Sequence, residues 1–122
     1  MINELERLLS NAYSPYDNVF YSAIVVMKDK MTFGGVSIKN NIYRDGLSAE
    51  SVAIAKAVSS GYKYGDFEEI LIMVSSKNIN DFKYITADII TEFFEPDKKV
   101  ILYDINRNQR VLKVGNLINN IY

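Results

Sequence analysis

Two short runs constrain this fold most. Ala23-Ile24-Val25-Val26-Met27 and Ile70-Leu71-Ile72-Met73-Val74 are apolar with no polar residue alternating through them. A strand with one face in water alternates, so these runs predict strands covered on both faces. The first strand is read as Val19 to Met27, in the centre of the sheet. Lys28-Asp29-Lys30 makes a tight turn, and Met31 to Ile38 returns as its antiparallel partner. Gly34-Gly35 within that partner signals a bulge or a close approach of another backbone. The second buried strand runs from Glu68 to Ser75, and Val100 to Tyr103 is the next. A turn at Asn106-Arg107-Asn108 leads into a short antiparallel edge strand, Arg110 to Val114.

Helices fill the intervals. Ile2 to Asn11 carries an apolar stripe of Leu5, Leu8 and Leu9, with Glu4, Glu6 and Arg7 facing water. Ser48 is read as the N-cap of a helix closed by Gly61. Ala49, Ala53, Ala57 and Ser60 recur at spacings of three and four along it, with Val52 between, giving a face fit to lie against something flat. Taken alone, Glu50 is an acid in the first turn of this helix, favoured there by the helix dipole. Lys77 to Tyr84 is polar and loop-like. Ile85 to Phe94 is a third helix with Ile89, Ile90 and Phe93 inward, stopped at Pro96, and Leu117 to Tyr122 is a terminal helix or tail. The order α, β, β, α, β, α, β, β predicts an α/β three-layer domain: an α/β/α sandwich around a five-stranded mixed sheet, one domain over residues 1–122.

The chain has no cysteine and no histidine. That excludes disulfides, thiol nucleophiles, imidazole chemistry and conventional zinc sites. Fourteen basic residues against fifteen acidic ones give no general attraction to nucleic acid or to a membrane surface. No apolar run reaches membrane-span length and no leader pattern opens the chain, so a cytoplasmic location is expected.

Ala12-Tyr13-Ser14-Pro15-Tyr16-Asp17, then a strand, then Gly34 to Tyr43, then Ser48-Ala49-Glu50 heading a small-residue helix, resembles the cytidine deaminase family over nearly the whole chain. There the pattern is Ala-Tyr-x-Pro-Tyr-Ser, a strand, Gly-x-Asn-x-Glu-Asn, and Cys-Ala-Glu at the start of a helix. The resemblance implies that family's sandwich fold and a zinc-bound water that attacks a pyrimidine, with a glutamate shuttling the proton. Glu50 matches the shuttle glutamate. Ser48 stands at the first zinc-ligand position, and it and Ala49 beside it are candidate ligand-binding residues by this resemblance. Aligning Ile89-Ile90-Thr91-Glu92-Phe93 with the segment after the family's Pro-Cys-x-x-Cys puts Phe82 at the proline, and Lys83 and Thr86 at the two cysteines. All three zinc ligands are then lost, so no metal and no cofactor are expected.

Zinc lowers the pKa of bound water from roughly 15.7 to about 7, on the order of 12 kcal/mol of activation at about 1.36 kcal/mol per unit. A lone carboxylate does not replace that. Magnesium would accept oxygen ligands, but no cluster of carboxylates converges on this segment. The ribose-binding Asn and Glu become Ser37 and Lys39, which turns a hydroxyl acceptor into a donor and reverses its charge, while Asn40 is retained. Val19 replaces the family's base-contacting phenylalanine. Leu117-Ile118 and Tyr122 match a C-terminal motif whose aromatic reaches a neighbouring subunit's site, which implies a homotetramer.

Two further readings stay open. Lys83, if it stands beside Glu50, would put an ammonium in the metal's place; otherwise it faces solvent. The leading functional reading is a deaminase homologue inactive as a deaminase, which binds a small nucleoside-like or anionic ligand near Lys39 and Ser48 or serves as an oligomeric assembly protein. The alternatives are an active nucleoside deaminase with unorthodox metal ligation, or a metal-free activity using Glu50 with Ser48 or Lys83.

Overall fold

The computed structural model describes residues 1–15, 19–39, 46–82 and 85–117. The sequence order of elements is α1 (Ile2–Leu9), β1 (Tyr21–Met27), β2 (Thr32–Val36), α2 (Ala49–Ser59), β3 (Phe67–Val74), α3 (Ala87–Phe93), β4 (Lys99–Tyr103) and β5 (Gln109–Lys113). The sheet runs β2-β1-β3-β4-β5, with β3 and β4 parallel and the other pairs antiparallel. This is the five-stranded mixed sheet expected from the apolar runs.

Alternate residues of the buried strands feed two cores. Ala23, Val25, Met27, Ile70 and Ile72 pack with α2 and α3 on one side. Ile24, Val26, Leu71 and Met73 meet Leu5 of α1 on the other. All seven residues of β1 are buried because both faces are covered. The α1 layer is also held by a polar bond, the Ser22 hydroxyl donating to the Leu5 carbonyl at 2.8 Å.

Element ends differ from expectation for local reasons. The third helix begins at Ala87 rather than Ile85, after Thr86 in the N-cap position. The Lys77–Tyr84 stretch holds a short 3₁₀ turn at Ile79–Asp81, opened by the Asn78 side chain accepting from the Asn80 amide. Leu117 is buried in the larger core. Ile118 and Tyr122 lie outside the described residues, as do Asn40 and Lys83.

The small face of α2 is used within the chain. Ala49, Ala53 and Ala57 are fully buried, and β2 passes so close that a Cβ added at Gly35 would stand 2.6 Å from both the Ala49 carbonyl oxygen and the Ala53 nitrogen. The close approach read from Gly34-Gly35 is therefore the contact between β2 and α2. Ser60 does not share this face; it is exposed beyond the helix end. The helix closes at Gly61, whose φ of 102° suits glycine.

Candidate functional site

Backbone pairing brings α2 to the sheet's end. The Ile38 amide donates to the Leu47 carbonyl at 2.9 Å and the Leu47 amide returns a bond at 2.7 Å. Tyr13 joins from the other side: its amide donates to the Ser37 carbonyl at 3.0 Å, and the Lys39 amide donates to the Tyr13 carbonyl at 2.9 Å. This ladder fixes Leu47, and with it Ser48, against the end of β2.

Ser48 caps α2 as expected, accepting from the Ser51 amide at 3.1 Å. Its hydroxyl is also bonded to the Ser51 hydroxyl at 2.7 Å and to the Thr86 hydroxyl at 2.8 Å. A hydroxyl has one proton and two lone pairs, so Ser48 is fully committed. Thr86, at the start of α3, makes no side-chain cap bond to its own helix. Its amide donates to Glu50 Oε2 at 3.0 Å. Glu50 is 3% exposed. Burial pushes its carboxyl above the usual carboxylate range, against the opposing pull of the Thr86 amide, its own amide and the Thr86 hydroxyl. Three of the residues singled out in the sequence, Ser48, Glu50 and Thr86, thus converge.

The remaining candidates are placed differently. Ser37 is buried, and its hydroxyl accepts from the Tyr21 amide at 3.0 Å. Lys39 donates from Nζ to the Val19 carbonyl at 3.2 Å and lies 5.9 Å from the centre of the Tyr21 ring. Tyr21 in turn packs on Phe82 at 5.7 Å between ring centres. Ala49 has no exposed surface. Ser51 was not singled out in the sequence. Its position three residues after an N-cap serine was the available signal, because that is where a side chain meets the cap.

The same architecture occurs in known proteins. A cytidine deaminase of Mycoplasma genitalium is 26% identical over 120 residues, covering 98% of this chain and 91% of that protein. The structure of a cytidine deaminase from Burkholderia pseudomallei superposes with a TM-score of 0.85 at 25% identity, covering 99% of this chain and 95% of that one. The chain is a cytidine deaminase homologue. A cytidine deaminase from Mycobacterium leprae, at 17% identity, shares the fold with a TM-score of 0.73 over 95% of this chain and 92% of that one. No family model matches the sequence.

As a deaminase homologue, the chain departs from a zinc protein in donor chemistry. The whole sequence contains no Cys or His. Among the described residues no group of three or more Asp or Glu is placed to hold a metal ion. Two sulfurs sharing one zinc at about 2.3 Å stand about 3.8 Å apart in a tetrahedron. The oxygens at positions 48 and 86 are 2.8 Å apart and bonded to each other. These residues do not fit zinc.

Proposed function

We propose that this deaminase homologue does not bind zinc and does not deaminate, and that it works by binding a small nucleoside-like ligand or as a subunit of a homo-oligomer. The observation that carries this reading is the hydrogen bond between Ser48 and Thr86, at two positions where the family resemblance expects metal-binding thiolates. Both hydroxyls are engaged, so neither offers the anionic lone pair that a zinc site needs. Lys39 in place of an acidic ribose ligand supports a ligand other than cytidine itself. A cytoplasmic location and a tetrameric assembly, without nucleic-acid or membrane partners, complete the proposal. An apolar groove of about 580 Å³ over the outer face of α2, lined by Phe33, Leu47, Val52 and Ala55, supports assembly.

Elemental analysis of the purified protein, run beside a cytidine deamination assay with added zinc, tests the reading. The expected result is far less than one zinc per chain and no turnover. Stoichiometric metal together with turnover that Glu50→Gln abolishes would overturn it. Calorimetric titration with uridine and with uridine monophosphate, whose negative charge suits Lys39, and light-scattering mass, then separate ligand binding from assembly. A mass near four chains is expected.

A further inference from the structure

We infer that Ser48, Ser51, Glu50 and Thr86 form a hydrogen-bonded clasp that closes the place of the metal and joins α2 to α3 in its stead. The inference rests on the zinc-free reading above and adds what occupies that place. Two independent bonds cross between the helices: the hydroxyl pair of Ser48 and Thr86 at 2.8 Å, and the Thr86 amide to the Glu50 carboxylate at 3.0 Å. A third, between the hydroxyls of Ser48 and Ser51 at 2.7 Å, holds Ser48 in the orientation the first requires.

Among the described residues no buried side-chain nitrogen or oxygen lacks a partner, so no orphaned acceptor calls for a metal at this position. The helix it secures has seven residues, too few to persist without tertiary contacts. Thr86 turns its hydroxyl away from its own helix and toward Ser48, which makes the N-terminus of α3 dependent on α2 rather than on its own cap. A metal would pull its ligands toward a shared centre; here positions 48 and 86 hold each other directly.

Thermal unfolding tests this in two arms. In the first, wild-type protein is melted alone, with EDTA and with added zinc. The clasp predicts one Tm in all three. A Tm that falls with EDTA or rises with zinc would overturn it. In the second arm Ser48→Ala, Thr86→Val and the double variant are compared. Each single change strands a half-buried hydroxyl, so each is expected to lower Tm by about 3–8 °C. The double variant is expected to fall short of the sum, because both changes remove the shared bond between positions 48 and 86. Additive losses, or single changes without effect, would overturn the clasp. Thr86→Ser keeps the hydroxyl and is expected to melt within about 2 °C of wild type; it serves where the alanine or valine variants do not fold, and a large loss in it counts against the clasp. Additive losses in a zinc-free, inactive protein would remove the clasp and leave the proposed function standing. Bound zinc with turnover would remove that function.

Discussion

Glu50 is the residue on which chemistry and stability meet. Its carboxyl is buried, and burial raises its pKa in the folded chain above the ordinary carboxylate range, with the amides of Thr86 and Glu50 opposing. A carboxylate with a raised folded pKa is a cost to the native state above its unfolded pKa, and the cost is relieved as pH falls. Glu50→Gln keeps an acceptor for the Thr86 amide and removes the buried charge. The variant is therefore expected to melt above wild type at pH 7.5, with the difference shrinking as pH falls to about 4.3, the ordinary value for a glutamate. A melting series across that range checks it; equal shifts at both ends would contradict the raised pKa. In the sequence Glu50 read as either a first-turn acid or a proton shuttle. Its bond to Thr86, 36 positions away, was not legible because nothing local records a tertiary hydrogen bond. The placing of Thr86 at a ligand position came from family resemblance. The partnership of Lys83 with Glu50 lies outside the described residues.

At the scale of elements, α2 and β2 fit because both are small where they touch. Gly35 meets backbone atoms of α2, which cannot move without moving the helix. Gly35→Ala is expected to cost about 3 kcal/mol or to block folding. Gly34→Ala meets the Leu8 Cδ1 atom at 2.6 Å, the end of a flexible side chain, so it is expected to cost about 1 kcal/mol. Chemical denaturation of the two variants checks the order; equal losses would contradict it. The alanine repeat announced a face needing a flat neighbour, and glycines in a strand announced a close approach. Together they made this contact readable. Ala49, Ala53 and Ala57 are used in this contact within the chain, covered by β1 and β2. The start of α3 was less legible, since Thr86 spends its hydroxyl on another element instead of marking its own cap.

Across the whole molecule, the fold was legible because its central strands are apolar on both sides, which forces a layer of helices on each. The polar bonds that tie distant layers were not. Arg107, at φ 65°, donates to Glu6 at 2.7 and 3.1 Å and to Asn3 at 2.7 Å, joining the β4–β5 turn to α1. This contact is exposed and its removal is expected to be minor. Arg107→Ala should lower Tm by no more than about 2 °C, less at high salt. Arg107→Gly should do better than alanine because a left-handed backbone suits glycine. Melting both variants at two ionic strengths checks this; a loss independent of salt would point to the turn rather than the ion pair. The Thr86 contacts have a kinetic consequence as well as an energetic one. They join residues 36 and 38 positions apart, with all of β3 between them. Closing a loop of that length costs chain entropy before the bonds offset it, so these contacts are expected to form late in folding. Bonds made after the folding barrier do not hasten its crossing; they lengthen the life of the native state once it is reached. The junction of α2 and α3 thus bears on how long the protein survives between unfolding events, and so on its resistance to proteases where cleavage outpaces refolding.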